Sequence, residues 1–382
     1  MRRIWFVLLP TLVLALLVAP GYAAGTYVSG RKIANLADTY EKSETLAGVL
    51  AVTPLSELQK NDITKAYSHP DVDRASVSWA VPNQPTPFVG TAPRPGKHQN
   101  ATINAWQMRS QSDVAIPKPS GVYRIFLTGG FTAYGSGAPS QDTTVGALLE
   151  AKLNVLNAGG AGAGAKRRFE VFTFANPAWS TTQERIAIEN YLSELEPDLI
   201  VSLSGNNDVF WGDAGRNVLW YSTFSDDYFN AVANAALGMA GRTPPAPLPH
   251  AGPISGKVNP EQVAARLKKN VVLGATALNQ GGAKADWIYF LQPNLAATKK
   301  ALSARESEFL TGSRDYYIQS YTQIAKALRA LQLPNFAFVD LSSLFDSRSQ
   351  GDEVFLDQFH FGDIGNEAIA TAMAREVARR LP

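Results

Sequence analysis

In FLTGGFTAYGSG, residues 126–137, an apolar run passes through two glycines into what reads as the start of a helix. The apolar run begins further upstream as VYRIFLTG (122–129), which has the length and composition of a buried strand. A strand-to-helix turn of this kind is one way in which enzymes present a nucleophilic side chain. Such a side chain would be Ser or Cys, but the residue after the glycines is Phe131.

Working outward, four more apolar runs read as strands that are buried on both faces, namely 169–175, 198–205, 286–293 and 336–341. Most are separated by segments with helical period, which include 145–156, 182–195, the long charged segment 293–331 and the C-terminal 364–382. The last of these carries Arg in its final turns, as the helix dipole favours. This alternation predicts an α/β fold with a parallel sheet covered on both faces, and a ligand site at the carboxyl ends of its strands.

The N-terminus predicts export of everything that follows it. After MRR, the chain has no charge from Ile4 to Gly25, which is close to the ~20 residues that a bilayer-spanning helix needs. The preceding positive charges place the N-terminus in the cytoplasm and the body outside it, in the periplasm or an equivalent space. A cleaved signal peptide is the alternative, with an apolar stretch at 4–19 and Gly21-Tyr22-Ala23 as its cleavage site.

The chain is therefore divided into three parts. Residues 1–25 are a transmembrane anchor or signal segment, 26–120 a stalk and irregular lead-in, and 121–382 the α/β domain. A Pro-rich insertion at about 211–257 interrupts that domain, and long insertions of this kind are usually lids, partner-binding surfaces or disordered segments.

Composition excludes several classes of function. A net charge of +2 gives no reason to expect nucleic-acid binding. The absence of cysteine excludes disulfides, Cys-ligated zinc and a Cys nucleophile. We predict no cofactor and no metal.

Three segments at strand ends carry candidate chemistry: TGGFTAYG, SGNNDVFWG (204–212) and DQFHFGDIGN (357–366). Of the four histidines, only His360 lies at a loop-to-helix junction with an Asp three residues before it. Asp357 can accept from one ring nitrogen and leave the other as a general base. Asn207 can donate to an oxyanion, and Asp208 can fix the turn. The alternatives are a surface Asp–His pair and ordinary turn chemistry.

On these segments, residues 121–382 resemble the SGNH (GDSL-type) hydrolase superfamily, and in particular its membrane-anchored, extracytoplasmic bacterial members. WQMR (106–109) ahead of GVYRIFLTGG adds to the likeness. The resemblance implies a three-layer α/β/α sandwich with a flavodoxin-like sheet. It also implies hydrolysis or transfer of acyl groups on lipids, polysaccharides or other esters.

The resemblance assigns roles by position. Asn207 takes the oxyanion-hole role, Asp357 the orienting acid and His360 the base. Phe131 stands where the nucleophilic Ser is expected. Ala178 is the nearest match to the glycine of the second block, whose backbone N–H would complete the oxyanion hole with that of residue 131.

Because Phe has no nucleophilic atom, an acyl-enzyme through residue 131 is impossible. Thr132, Ser136 or a water activated by His360 are the alternatives that would keep activity. The favoured hypothesis is a degenerate site in a binding or structural subunit of a membrane or envelope complex. Its rivals are a working esterase or O-acyltransferase on envelope polysaccharide or lipid, and a carbohydrate-binding module. Aromatic residues near the strand ends would face a partner or pack in the core, namely Trp179, Phe210, Trp211, Trp220 and Tyr221.

Overall fold

The computed structural model describes residues 21–31, 63–69, 72, 77, 81, 83–98, 100–159, 167–177, 179–215, 237–238, 241–243, 256–310 and 312–381. The chain divides into two units, one of Met1–Val49 with Phe224–His250 and one of Leu50–Thr223 with Ala251–Pro382. In the first unit, residues 21–31 form an exposed helix in which the Arg31 guanidinium lies 5.4 Å from the centroid of the Tyr27 ring. The sheet and the candidate site described below belong to the second unit.

The second unit is built on a parallel sheet of five strands. The strands are β5 Val122–Gly129, β6 Arg168–Ala175, β7 Leu199–Ser204, β8 Asp286–Leu291 and β9 Phe336–Asp340. They lie in the order β6-β5-β7-β8-β9. This is the 2-1-3-4-5 order of doubly wound sheets, in which the first strand lies between the second and the third. The predicted α/β fold with a parallel sheet flanked by helices is confirmed.

Eight helices of the described part of this unit connect or follow the strands. They are α1 Phe131–Tyr134, α2 Val145–Gly159, α3 Thr181–Asn190, α4 Asn206–Asp213, α5 Pro260–Gln280, α6 Ala304–Glu308, α7 Arg314–Arg329 and α8 Asp363–Ala378. Short 3-10 turns lie at Ile63–Ala66, Gln141–Thr143 and Leu192–Leu195.

Alternate strand residues serve two cores, which is why the strand sequences read as continuous apolar runs. Phe126 of β5 packs with Trp287 of β8 in a core beneath α3, α5 and α7. Leu127 of β5 packs with Phe290 of β8 in the other core, beneath α2 and α8.

Helix boundaries differ from the sequence prediction in two places. The predicted helix 182–195 ends at Asn190, because the chain passes through a 3-10 turn to Glu196, which adopts the left-handed conformation at φ 53°. The long segment 293–331 contains two helices, α6 and α7, separated by a turn. The 21-residue helix α5 follows the predicted insertion and was not predicted.

From residue 63 onward, described residues of the lead-in contact the sheet domain. Two short hairpins, β1 Asn83–Thr86 with β2 Gly90–Pro93 and β3 Gly96–His98 with β4 Ala101–Ile103, precede the sheet. Further upstream, the Tyr67 hydroxyl donates to the Gly137 carbonyl at 2.9 Å. Ser68 donates through its backbone N–H and its hydroxyl to the Asp363 carboxylate.

Several predicted segments lie outside the described residues. They include residues 1–20 of the predicted anchor, residues 160–166 of the Gly- and Ala-rich sequence 157–168, and most of the insertion, from 216 to 236 and from 244 to 255. Among the residues that are described, none forms a helix both long and apolar enough to cross a membrane.

Candidate functional site

The two glycines at the end of β5, Gly129 within the strand and Gly130 just after it, are required by close contacts at the carboxyl edge of the sheet. A Cβ on Gly129, whose φ is 148°, would lie 2.4 Å from the Leu203 carbonyl oxygen. A Cβ on Gly130 would lie 2.1 Å from Nδ2 of Asn207. The turn therefore brings the end of β5 directly against β7 and the segment that follows it.

Helix α1, which begins at Phe131, is fixed by a buried arginine from the lead-in. Nη1 of Arg109 donates to the Tyr134 and Gly135 carbonyls at 3.0 and 3.1 Å. The same guanidinium lies 5.0 Å from the centroid of the Tyr134 ring and donates through Nε to Gln141. Arg109 is the last residue of the WQMR motif, so this motif serves to hold the turn that carries Phe131.

Asp357 and His360 form the predicted pair. Oδ2 of Asp357 lies 2.6 Å from Nδ1 of His360, and Oδ1 accepts the backbone N–H groups of Phe359 and His360 at 2.8 Å each. Burial on its own would raise the pKa of Asp357, but His360 and these two N–H groups outweigh it, and the pKa lies below its ordinary value. The carboxylate is therefore charged at neutral pH and holds the imidazole in one orientation.

The Phe131 side chain contacts this imidazole directly. The ring centroids of Phe131 and His360 are 5.0 Å apart at an interplanar angle of 84°, and Phe359 flanks the imidazole from 4.7 Å. His360 is only 5% exposed and Phe131 only 7%. Two aromatic rings thus border the imidazole.

Thr132 and Ser136, the two hydroxyls considered as substitutes, are both buried. Oγ1 of Thr132 donates to the Phe359 carbonyl at 3.2 Å, so it ties α1 to the loop that carries His360. Ser136 lies one turn beyond α1, where its backbone N–H donates to the Phe131 carbonyl at 3.0 Å. Both positions contribute to the turn itself.

Asn207 and Asp208 hold the loop that follows β6. Nδ2 of Asn207 donates to the Trp179 carbonyl at 2.7 Å. Oδ2 of Asp208 accepts the backbone N–H of Thr181, the first residue of α3, at 3.1 Å. One amide hydrogen of Asn207 is therefore engaged within the protein rather than directed at an open oxyanion position. Ala178, the other predicted contributor, lies outside the described residues.

The neighbouring aromatic residues divide between core and surface. Trp179 is buried and donates from its indole N–H to the Thr91 carbonyl at 3.1 Å, and Trp211 is also largely buried. Phe210 is half-buried and lies 6.4 Å from the Phe359 ring. Trp220 and Tyr221 lie outside the described residues.

The chain is similar in structure to proteins described as acetyl xylan esterases, a putative GDSL-like lipase and a lipase/acylhydrolase. A crystal structure of an acetyl xylan esterase shares 14% identity, covers 66% of this chain and 99% of its own, and has a TM-score of 0.38. The lipase/acylhydrolase from Enterococcus faecalis shares 16% identity over 68% and 97%, with a TM-score of 0.38.

A third structure, a catalytic mutant of an acetylxylan esterase from Geobacillus stearothermophilus, shares 13% identity over 67% of this chain and 94% of its own, with a TM-score of 0.40. No protein-family model matches the sequence, and no curated protein matches it. Within the described part of the chain, no group of three or more His, Asp or Glu side chains is placed to hold a metal ion.

A buried polar network, which the sequence did not reveal, lies on the face of the sheet that α3, α5 and α7 cover. The carboxylate of Glu184, in the first turn of α3, accepts from the Ser204 hydroxyl and from Oγ1 of Thr128 at 2.9 Å. Thr128 lies 2.6 Å from the Ser202 hydroxyl, which accepts the indole N–H of Trp287 at 3.0 Å. Burial, with Asp208 adding to it, raises the pKa of Glu184 to about 7 despite these hydrogen bonds.

This raised pKa predicts a specific dependence of stability on pH. The folded chain retains the Glu184 proton up to about pH 7, whereas the unfolded chain loses it near 4.5. The contribution of Glu184 to the free energy of unfolding is therefore greatest below about pH 4.5. It falls by roughly 3 kcal/mol as the pH rises from there to about 7. We expect Glu184→Gln to remove most of this decline, as measured by urea unfolding of both proteins across the interval.

Titration of other groups is common to both proteins and cancels in the difference between their unfolding free energies. Thr182→Ser, a conservative change two residues away on the same helix, serves as a control that should keep the decline. Parallel stability curves for native protein and Glu184→Gln would contradict the prediction.

Sequence reasoning did not predict three sets of interactions that shape the site: the contacts of Arg109 in the WQMR motif, the link from Thr132 to Phe359, and the Glu184 network. A signal existed for one of them, because Ser180-x-x-Gln183 is a capping box that marks the start of α3 and puts Glu184 in its first turn. The contacts of Arg109 and Thr132 join segments distant in sequence, and no local pattern predicts them.

Proposed function

We propose that this chain is a membrane-anchored, extracytoplasmic protein with an SGNH-hydrolase-like body. Its hydrolytic site is degenerate, and it acts as a binding or structural subunit of a membrane or envelope complex. One observation carries the proposal: Phe131 occupies the position after the strand-end glycines, and its ring lies edge-on against His360 with 5.0 Å between the centroids. The residue that faces the base therefore has no nucleophilic atom.

The surroundings of Phe131 support a site adapted to this ring. Phe131 is largely buried, and Phe359 and His360 pack as a group with it. The nearest hydroxyl, that of Thr132, donates to a backbone carbonyl. At the second oxyanion position the sequence has Ala178 where the family pattern has Gly. Two of the family's sequence blocks thus lack their characteristic residue, the nucleophilic Ser in one and the oxyanion-hole Gly in the other. This pattern favours a binding role over catalytic turnover.

The membrane location rests on the sequence. The uncharged segment from Ile4 to Gly25 follows MRR, and residues 21–31, which continue from it, form an exposed helix. That helix exposes Tyr22 and Tyr27, and tyrosines of this kind are typical of membrane interfaces. We propose a single-pass anchor with the N-terminus in the cytoplasm and the body in the periplasm or an equivalent space.

An active esterase or O-acyltransferase on envelope polysaccharide or lipid is the second candidate. It is favoured by the intact Asp357–His360 pair, whose Oδ2–Nδ1 distance of 2.6 Å is that of a strong hydrogen bond. The same pair also has a structural use, because Asp357 accepts two backbone N–H groups and so shapes the turn before α8.

The full-length protein tests this proposal on p-nitrophenyl acetate and with a fluorophosphonate probe. We expect hydrolysis no faster than that of a His360→Ala variant, and no covalent labelling. Labelling at Thr132 or Ser136, located by peptide mass spectrometry, would instead establish the active enzyme. Purification in mild detergent from native membranes then identifies the protein or envelope carbohydrate that accompanies the chain.

A further inference from the structure

Two apolar side chains project into solvent at the end of α2. Val155 is 71% exposed and Leu156 is 50% exposed, although Leu149 and Leu153 of the same helix are fully buried. Beside them, α2 and α8 border a shallow groove of about 430 Å³, whose lining includes Leu148, Ala151, Lys152, Thr371, Ala374 and Arg375. Adjacent exposed apolar residues that line a groove are a candidate docking surface.

The charge around this groove is positive. Lys152 and Arg375 are the charged residues of its lining. Nδ2 of Asn157 donates to the Arg167 carbonyl at 2.6 Å, which places Arg167 and Arg168 beside the end of α2.

Three of the nearby acids are paired with bases, whereas Glu150 of α2 accepts the backbone N–H of Val171 at 2.7 Å. Glu367 pairs with Lys152, Glu170 with Arg168, and Glu376 with the two arginines at the end of α8. In the described part of the chain no ion pair is found for Arg167 or Arg375, so the surface carries an excess of positive charge.

The surface also lies at the edge of the sheet opposite to the candidate site. Nδ2 of Asn154 donates to the Phe169 carbonyl at 3.0 Å, so the end of α2 lies where β6 begins. Phe131 and His360 lie at the carboxyl edge, where the strands end. A partner that covers Val155 and Leu156 therefore leaves the candidate site open to the aqueous side.

We propose that this apolar-basic surface, formed by Leu148, Ala151, Lys152, Val155, Leu156 and Arg375, docks on an anionic phospholipid surface. Projecting apolar side chains insert at the boundary of headgroups and acyl chains, while basic side chains around them bind lipid phosphates. The proposal rests on the membrane location in the proposed function and is independent of whether the site is active. It adds a second contact with the membrane that sets the orientation of the body.

The cysteine-free sequence permits a direct test in the full-length chain. Val155→Cys receives a nitrobenzoxadiazole dye, and Leu273→Cys, 39% exposed on α5 against the other sheet face, is the matched control. Each protein is reconstituted into vesicles of phosphatidylcholine alone or with phosphatidylglycerol. A nitroxide-bearing phosphatidylcholine supplies the quencher of dyes that enter the lipid.

We expect strong quenching at residue 155 in vesicles with phosphatidylglycerol and little at residue 273. Arg375→Gln should lower the ratio of docked to undocked protein about fivefold in these vesicles. Each basic residue near an anionic surface raises the equilibrium constant for membrane binding by about that factor. Circular dichroism verifies that the labelled chains are folded, and both labels lie at exposed positions.

Flotation separates this proposal from the anchor itself. A chain that floats with vesicles but shows equal, weak quenching at both labels keeps its anchor and overturns the docking surface. A chain that does not float with either lipid overturns both. In native membranes, a dye at 155 that is shielded from aqueous iodide yet unaffected by the nitroxide lipid assigns the groove to a protein partner, and the lipid proposal is then wrong.

Discussion

Phe131→Ser should hydrolyse p-nitrophenyl acetate at least about 10²-fold faster than the native chain. The change replaces the ring that faces His360 with a hydroxyl, beside a base that Asp357 already orients at 2.6 Å. The missing nucleophile is then supplied, and a fluorophosphonate probe should label residue 131. Steady-state assays and intact-protein mass spectrometry measure the two results.

The gain should stay well below the about 10⁶-fold that a complete serine hydrolase site owes to its nucleophile. Nδ2 of Asn207 donates one of its two hydrogens to the Trp179 carbonyl at 2.7 Å, so the amide is oriented by that carbonyl and only its second hydrogen is left for an oxyanion. Loss of one such donor lowers turnover by about 10²–10³-fold. Activity gained by Phe131→Ser therefore measures how much of the frame remains competent for catalysis.

Two matched variants isolate the hydroxyl. Phe131→Ala opens the same space without a nucleophile, and Phe131→Ser combined with His360→Ala keeps the hydroxyl without the base. Both should remain near native activity. All three lose up to about 3–5 kcal/mol because a buried ring is removed, so thermal melts must precede the assays. If Phe131→Ser is no faster than Phe131→Ala, the frame has lost more than its nucleophile.

Much of the sheet is predictable because its signal is local. The strand predicted at 122–129 coincides with β5, since every residue from Ile125 to Gly129 is buried on one face or the other. Helix α5 was missed although Asn259 caps it and Pro260 stands at its first position, both of which are standard start signals. These signals directly follow the Pro-rich insertion, where Asn and Pro are also expected in loops, and they were therefore not assigned to a helix.

The site was predictable in part. Asp357 and His360 lie in one turn, so their spacing determines their contact. The partners of Asn207 and Phe131 could not be predicted in this way. Trp179 is 28 residues from Asn207, and His360 follows β9 whereas Phe131 follows β5. Whether an Asn donates to an oxyanion or to a carbonyl depends on loop packing, which a single sequence does not specify.

The same dependence on packing explains how the loop that carries His360 is held in place. Nζ of Lys300 lies 2.6 Å from Oε2 of Glu306, and neither side chain is exposed to solvent. Oε1 of Glu306 accepts the backbone N–H of Val354 at 3.3 Å, three residues before Asp357. On the adjoining residue, Arg305 donates to Glu353 and to the Phe355 carbonyl. The segment 300–306 thus supports the segment 353–356 through buried charge.

Lys300→Met should lower the free energy of unfolding by about 3–5 kcal/mol, because it leaves the Glu306 carboxylate buried without its counter-ion. Urea unfolding measures the loss. Amide hydrogen exchange should speed up from Val354 to His360 in particular, since Glu306 can no longer hold that segment in one position. A surface control, Lys152→Met, removes a partly exposed ion pair with Glu367 and should cost less than about 1 kcal/mol.

The double variant Lys300→Met with Glu306→Gln separates the buried charge from the packing. The substituted amide is neutral but keeps an oxygen that accepts from Val354, so the double variant should be more stable than Lys300→Met alone. Equal losses in the single and double variants would mean that the lysine stem, and not the ion pair, supports the loop. Protection of Val354 in the double variant, with exchange restored toward the native rate, would show that the acceptor on residue 306 is what holds the loop that carries Asp357 and His360.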